Sequence, residues 1–487
     1  MHLATKKSLF LTFISITLIL AVSSCTLTEN PDEALKKENN YYETKDVSNI
    51  LNGTCAASGC HAESNPVNGF STEIQPQIML GASNRPLEGV RNYGYGGDDV
   101  IPYSVEKSLL MQFINGNIVE KLSYNHSSIL STNQITTIKN WIADGAQDYK
   151  GDVPYFLPES YRVYVCNQNS EDISVVDGTN KVVSYLNDVY DPLTEFDTPY
   201  WVSEYGDYYY VTLSSAGQLI KFRKTDNSPV LSISGLSEPG IIKINSDGTK
   251  AYVSRASTTE FTYSSIYVID LTNMFIQKEI NLPISGLPHG MALDKQRGFL
   301  FVADAVNNLI HVINIFSDQL IDSRFDLVND YYPLFLGISP DGNYLYITAN
   351  KTNQLLVANA GSRSVISKIN LLSNPMGVTV SSTGQKIYVA SGGGNAVEVI
   401  TKTAAFWDKT NTITHPAFSM PFGIDITSDD RYVYVTNQNL EGDFVPAYQV
   451  KGEEFISTVG IINTQTETVE KVIEVEENAG GIAVEKL

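Results

Sequence analysis

Cysteine, histidine and positive charge are all scarce in this chain. Its 487 residues include 4 cysteines and 6 histidines, and 54 acidic side chains against 33 basic ones give a net charge of -21. A phosphate backbone is bound by clustered Lys and Arg, so this balance argues against nucleic acid as a partner. It also argues against electrostatic attachment to anionic lipid.

The apolar run near the amino terminus is short for a transmembrane helix. The run, SLFLTFISITLILAV, follows Lys6 and Lys7 and ends at small residues before Cys25. A basic start, an apolar middle and a small-residue end are typical of a signal peptide. The segment resembles bacterial lipoprotein signals, which implies that residues 1–24 are removed and that Cys25 carries lipid. A plain secretory signal or an uncleaved anchor is the alternative.

Residues 25–45 predict a polar tether, because few of their side chains are apolar. The acidic residues Glu29, Asp32 and Glu33 resemble the surface-export signals of Bacteroidetes-type lipoproteins. We therefore expect an extracytoplasmic protein, anchored by lipid to the bacterial outer membrane on its periplasmic face or at the cell surface. Thiols in that compartment are normally oxidised or ligated.

Two of the few cysteines belong to the motif CAASGCH, in which Cys55 and Cys60 are followed at once by His61. Covalent haem attachment needs two thiols and an adjacent imidazole, most often spaced C-x-x-C-H. The spacing here is the variant C-x4-C-H, and its loop residues are small. A local disulfide and a chance pair are the alternatives, and a zinc site would need ligands that no second cysteine pair supplies. Cys166 lies in an apolar strand pattern and is predicted to be a buried filler.

Helical periodicity surrounds the motif. Val47, Ile50 and Leu51 fall on one helical face just before it. A second amphipathic helix is predicted later, with a start at Ser131 or Thr132 and a stop at Gly145. The apolar positions of that second helix are Ile135, Ile138, Trp141 and Ile142.

These elements, with a proline-led SLL segment between them, resemble the small class I cytochrome c domains of bacteria over residues 46–150. The resemblance implies a small all-α domain with one covalent haem c, joined to Cys55 and Cys60 by thioethers. It also implies that His61 is the proximal iron ligand and that the carbonyl of Pro102 orients its ring.

The sixth iron ligand departs from the usual pattern of that family, which places a methionine shortly before the last helix. The corresponding stretch, KLSYNHSSILS, has no methionine and contains His126. The resemblance therefore implies a bis-histidine iron, with His61 and His126 on opposite sides. Met111 is the rival ligand, although it lies in an apolar helical run where methionine usually fills a core.

From about residue 155 the pattern changes to alternating apolar and aromatic residues broken by turns such as Asp-Gly. Seven rows align, among them LFVADAVNNLIHVIN and LYITANKTNQLLVAN, and a repeat in the forties predicts an all-β, seven-bladed β-propeller over residues 155–487. The rows resemble the YVTN repeat family. Their aromatic anchors, 42 to 49 residues apart, are Tyr164, Tyr210, Tyr252, Phe301, Tyr346, Tyr388 and Tyr434.

Most of the repeats begin with a proline followed closely by a glycine, as in PHG from Pro288 and PMG from Pro375. The first repeat lacks this strand, whereas the chain ends in NAGGIAVEKL, a strand of that type without a repeat. We expect residues 482–484 to supply the inner strand of the first blade. This closure would remove two exposed sheet edges.

The propeller region contains only three histidines, His289, His311 and His415, and they form no dense cluster in the sequence. Each is predicted to be structural rather than a ligand of a metal or of a second haem. The acidic and aromatic stretches TEFDTPYW and EYGDYYY are predicted to form a face that binds protein or glycan. No nucleophile–base arrangement, phosphate loop or carboxylate pair stands out, so no catalytic residue is predicted.

Two classes of function follow. The first is an electron-transfer lipoprotein whose propeller docks a redox partner protein. The second is a propeller that binds or scaffolds at the cell surface, with the haem domain as a sensor. A haem-dependent reductase is a third class, since the domain order resembles that of the respiratory nitrite reductases. Those enzymes, however, use eight blades rather than seven.

Overall fold

The computed structural model describes residues 46 to 486, except 58–59, 65, 68–69, 74, 82–93, 96, 120–124, 149, 156–159, 190–196, 256–262, 322–324, 405 and 447. The signal peptide, the tether and Cys25 lie outside the described residues, so the lipid anchor stays a prediction. No helix within the described part is long and apolar enough to span a membrane.

Among the described residues, four short α-helices precede the propeller: Val47–Thr54 (α1), Gln75–Leu80 (α2), Leu109–Asn115 (α3) and Thr132–Ala143 (α4). Their apolar faces meet in one core, to which Val47, Leu51, Met111, Ile138 and Trp141 contribute side chains that are at most 1% exposed. Helices this short are marginal alone, so tertiary packing of these faces stabilises them.

The predicted closing helix is confirmed as α4. The Ser131 side chain accepts from the backbone N–H of Gln134, whose own side chain accepts from the Ser131 N–H, which forms a capping box. Gly145 follows the helix at φ 94°, a conformation that favours glycine.

Seven antiparallel sheets follow, each with four principal strands, and the prediction of a seven-bladed all-β propeller is confirmed. The strands of each blade are given from the inner to the outer one. Blade 1 contains Ala479–Val484, Arg162–Asn167, Asp172–Asp177 and Val182–Asp188, and blade 2 contains Pro199–Tyr205, Tyr208–Leu213, Gln218–Arg223 and Pro229–Ser234. Blade 3 contains Pro239–Ile244, Lys250–Arg255, Tyr263–Asp270 and Phe275–Gly286, and blade 4 contains Pro288–Asp294, Phe299–Asp304, Leu309–Asn314 and Gln319–Leu320 with Phe325–Asp326. Blade 5 contains Pro333–Ile338, Tyr344–Ala349, Gln354–Asn359 and Ser364–Asn370, and blade 6 contains Pro375–Val380, Lys386–Ser391, Ala396–Lys402 and Trp407–Thr414. Blade 7 contains Pro421–Ile426, Tyr432–Asn437, Ser457–Asn463 and Thr468–Val475.

The aromatic anchors lie on the second strand of each blade and are all at most 2% exposed. They fill the space between neighbouring sheets, where an aromatic side chain buries more area than an aliphatic one. One buried aromatic per blade explains why the repeat can be read from the sequence. Cys166, on the second strand of blade 1, is completely buried, as predicted for a filler.

The glycine of the proline–glycine motif is required by the convergence of the inner strands at the centre of the ring. A Cβ on Gly290 would collide with the backbone of Leu334 on the next inner strand, and a Cβ on Gly423 would meet the backbone of Gly480. All seven inner strands also shift register against their neighbour, as at a β-bulge. Only glycine permits this close approach of two backbones.

The carboxyl-terminal strand closes the ring as predicted. Ala479–Val484 pairs antiparallel with Arg162–Asn167, with Val484 opposite Val163 and Ile482 opposite Val165. The first blade therefore joins strands from both ends of the propeller sequence. Closure pairs both edges that an open ring would expose.

The helical segment contacts the seam between blades 7 and 1. A two-residue strand, Gly94–Tyr95, pairs in parallel with the outer strand of blade 7. The Lys107 ammonium lies 3.0 Å from Glu453 and 2.5 Å from Glu476, both on blade 7 loops. Burial opposes the charge on Lys107, but the two carboxylates outweigh it and raise the pKa of this lysine.

The closing strand predicts a stability test. Ile482→Ala removes a side chain that is 3% exposed and should lower the free energy of unfolding by about 2–5 kcal/mol, because it leaves a cavity at the ring closure. Urea unfolding followed by circular dichroism measures this change. The matched control is Ile366→Ala, on an outer strand and 49% exposed, which should change it by less than about 0.5 kcal/mol. Equal effects of the two variants would contradict the closing role.

Candidate functional site

The cysteine motif forms a compact turn directly after α1. The N–H of Cys60 donates to the carbonyl of Ala57 at 2.9 Å, and the N–H of His61 donates to the carbonyl of Cys55 at 3.1 Å. The backbone therefore folds back on itself, and the two cysteines and His61 belong to one local structure.

His126 lies in a 3-10 helix, His126–Ser128, which the sequence did not predict. The Asn125 side chain caps this turn by accepting from the backbone N–H of Ser127 at 3.1 Å. The turn presents the His126 ring to the ring of His61. The two ring centres are 6.3 Å apart and the ring planes are tilted by 44°.

This separation fits two imidazoles on opposite sides of one iron. An imidazole nitrogen binds a first-row metal at about 2 Å, and the ring centre lies about 1 Å further away. Two rings that share a metal therefore have centres roughly 6 Å apart. The observed separation of 6.3 Å matches that distance, and the two imidazoles are too far apart and too strongly tilted to stack on each other.

A backbone hydrogen bond fixes the proton on His61. Its Nδ1 lies 2.9 Å from the carbonyl oxygen of Phe70, and a carbonyl can only accept, so Nδ1 carries the hydrogen. The other ring nitrogen, Nε2, is then the one with a lone pair for a metal. The carbonyl that contacts the His61 ring is that of Phe70, and the role that the resemblance implies for Pro102 stays a prediction.

Cys55 and Cys60 are free thiols and form no disulfide with each other. Cys55 packs against the helical core, and burial raises the pKa of its thiol. In the described part of the chain, no group of three or more His, Cys, Asp or Glu side chains could hold a metal ion.

Met111, the rival to His126, is a core residue. Its side chain is fully buried among the apolar side chains of the helices. This environment is the filling role that the apolar sequence around it predicts.

Two aromatic side chains that the sequence analysis did not single out extend the site toward the propeller. The Phe113 ring lies 5.4 Å from the His126 ring, and the Tyr448 ring lies 4.9 Å from Phe113, both edge-to-face. Tyr448 belongs to residues 438–456, the long loop between the second and third strands of blade 7. The extra length of this loop relative to the other repeats is the signal that could have identified it.

The three propeller histidines make contacts within the protein. His311 Nε2 lies 3.2 Å from Asp304 Oδ2, and both side chains are at most 1% exposed. His415 Nδ1 accepts from the N–H of Ala417 at 3.1 Å. These contacts support the structural role predicted for both residues.

His289 lies at the amino-terminal end of the inner strands. Its Nδ1 donates to the carbonyl of Leu334 at 3.1 Å, and its Nε2 accepts from the Tyr200 hydroxyl at 2.6 Å. Burial lowers the pKa of His289 to about 4, although the Leu334 carbonyl partly opposes this shift. His289 is therefore neutral at physiological pH.

The comparisons with known proteins define the class of fold. A functionally unknown protein from Desulfotomaculum acetoxidans DSM 771 is 14% identical, with a TM-score of 0.55 over 67% of this chain and 99% of that one. A protein from Lactobacillus plantarum is 14% identical (TM-score 0.54, 67% and 100% covered). A periplasmic gluconolactonase from Pseudomonas aeruginosa is 15% identical (TM-score 0.54, 67% and 99% covered).

These three proteins share the propeller fold with this chain, and the likeness extends to the fold alone. No protein-family model matches the chain, and no curated protein matches it. The resemblances to the YVTN repeats and to cytochrome c therefore stay predictions. The chain contains a seven-bladed β-propeller with a helical segment on its rim.

The buried His289 predicts a pH effect on stability. The unfolded histidine has a pKa of about 6.5, whereas the folded one is near 4, so below pH 6.5 the unfolded chain binds a proton that the folded chain excludes. Stability should therefore fall as the pH falls from about 6.5 to 4, by up to about 3 kcal/mol from this residue.

His289→Gln should remove that contribution, since glutamine does not titrate and can still accept from Tyr200. The measurement compares urea midpoints of the two proteins at pH 7.5, 5.5 and 4.5. Acidic groups and His415 titrate in both proteins and cancel in the difference. Parallel pH profiles for the two proteins would show that His289 is not held neutral.

Proposed function

We propose that the chain is an extracytoplasmic haem c protein that transfers electrons, with the propeller as the module that docks its redox partner. The observation that carries this proposal is the 6.3 Å separation of the His61 and His126 rings, next to two free thiols in a C-x4-C-H motif.

In this proposal Cys55 and Cys60 hold the haem covalently. Each thiol adds across one vinyl group: a carbon–sulfur bond forms, the vinyl double bond becomes single, and the thiol hydrogen moves to the neighbouring carbon. The reaction needs no oxidant. It also accounts for two unpaired cysteines in a compartment where thiols rarely stay free.

His61 and His126 would be the two axial ligands. The Phe70 carbonyl holds the His61 ring by its Nδ1–H, and the Phe113 ring packs against His126. Haem c supplies reversible one-electron transfer at its iron when bound. Two imidazole ligands leave no open coordination position, which favours electron transfer over substrate binding at the iron.

The lipid anchor and the location belong to the same proposal. Lipidation at Cys25 would place the protein on the bacterial outer membrane, and the tether of residues 25–45 would separate the anchor from the folded part. A redox protein of net charge -21 would favour a partner with a basic surface.

The first experiment tests covalent attachment. Protein produced in a host that matures c-type cytochromes should give a haem-positive band on a denaturing gel. Cys55→Ala/Cys60→Ala should lose that stain, because noncovalent haem dissociates under these conditions. Cys166→Ala is the matched control and should keep it, since Cys166 is buried in the propeller. A colourless wild-type protein would refute the proposal.

The second experiment tests the axial ligands. His126→Ala should open the sixth position, shift the ferric iron toward high spin and let carbon monoxide bind the reduced protein. His415→Ala, a histidine of the propeller, is the control and should leave the visible spectrum unchanged. If Met111→Leu produces the spectral change and His126→Ala does not, the distal assignment is wrong.

A further inference from the structure

The central channel of the propeller contains a cavity that the electron-transfer proposal does not use. Its volume is about 380 Å³, and all seven inner strands contribute to its lining. This volume lies within the range of roughly 300–1,000 Å³ that is usual for small-molecule sites.

The two ends of the inner strands differ in chemistry. At their amino-terminal end, the rings of Tyr200, His289, Phe335 and Phe422 pack together, with centre-to-centre distances of 4.9 to 6.4 Å. Trp201 packs against Phe335 with ring centres 5.8 Å apart and planes tilted by 34°, and both rings line the cavity. The cavity therefore has an aromatic floor.

Charged residues are concentrated at the carboxyl-terminal end. The carboxylate of Asp425 accepts from the Lys486 ammonium at 3.1 Å and from the N–H of Val484 at 2.9 Å. The carboxylate of Glu204 accepts from the Lys224 ammonium at 2.7 Å. Both acidic side chains of the cavity lining are thus engaged by cations of the protein.

Two further lysines of the lining, Lys243 and Lys295, have no such partner. Among the described residues, neither ammonium makes a hydrogen bond or an ion pair. Lys243 is half-buried in the channel wall, and burial lowers its pKa despite the attraction of Asp425, while Lys295 and Lys486 repel it. An unpaired ammonium in such a wall is costly unless an anion neutralises it.

We propose that the channel binds a small organic anion, with its carboxylate or phosphate at Lys243 and Lys295. The apolar part of the ligand would pack against the aromatic floor and the aliphatic wall formed by Leu293, Ile338 and Val378. Such a ligand would neutralise the half-buried ammonium of Lys243 and pair with the exposed ammonium of Lys295 at the cavity mouth. The cavity lining has three lysines against two carboxylates, and this positive excess in a chain of net charge -21 favours an anion.

The test is calorimetric titration of the full protein with benzoate, phenyl phosphate and the neutral analogue benzyl alcohol. At least one of the two anions should bind at least ten times more tightly than benzyl alcohol, and the preferred anion identifies the head group. Failure of both anions to exceed the neutral analogue would overturn the proposal.

Lys243→Met and Lys295→Met should each weaken binding of the preferred anion at least tenfold, because methionine keeps the aliphatic stem and removes the charge. The matched control is Lys351→Met. Lys351 and its ion-pair partner Asp330 are 60% and 65% exposed, and neither residue lines the cavity. If Lys351→Met weakened anion binding as much as the channel variants do, the effect would come from the net charge of the protein, and this result would also overturn the proposed site. Lys295 is exposed at the cavity mouth, so its variant should fold even if Lys243→Met does not.

A second measurement separates this site from the haem proposal. Cys55→Ala/Cys60→Ala should bind the anion as tightly as the wild type does, because no cavity residue belongs to the helical segment. Anion binding that persists without haem supports the channel site alone. Binding that disappears in this variant would contradict a site confined to the channel.

Discussion

The whole molecule depends on how the ring of sheets closes. Seven blades in a circle leave one seam, and an open seam would present two unpaired strand edges. The pairing of Ala479–Val484 with Arg162–Asn167 removes those edges by joining the two ends of the propeller sequence. The helical segment contacts the same seam, so closure of the ring also creates the surface on which that segment packs.

The contacts at the seam couple the candidate haem site to the propeller. The long blade 7 loop contacts the helical segment at several points. Tyr448 packs against Phe113, the N–H of Val119 donates to the carbonyl of Gln449 at 2.9 Å, and the N–H of Lys451 donates to the carbonyl of Asn117 at 2.9 Å. Glu476, which is only 7% exposed, depends on Lys107 for compensation of its charge. The surroundings of His126 are therefore partly built by the propeller, and a truncated helical segment would lose them.

The sequence predicts those parts of the fold in which the same local packing requirement recurs from blade to blade. A buried aromatic such as Tyr252 and a glycine such as Gly290 recur because each blade meets the same packing constraint. Helix α4 was predictable because its capping box is local. The contact between the His61 ring and the Phe70 carbonyl was not predictable, since the folded loop alone brings that carbonyl to the ring. The role of Pro102 rests on the resemblance and stays a prediction.

The sequence did not predict the role proposed for the lysines of the channel, because no repeated pattern marks their positions. The residue at the end of each inner strand varies from blade to blade, with Glu204, Lys243 and Asp425 among them, so no repeat marks the position. Only the closed ring brings these strand ends to one mouth. Because the helical segment contributes nothing to the cavity lining, the rim contact and the channel are separate surfaces of one propeller. The proposed channel ligand and the proposed electron-transfer site can therefore be present together, without either displacing the other.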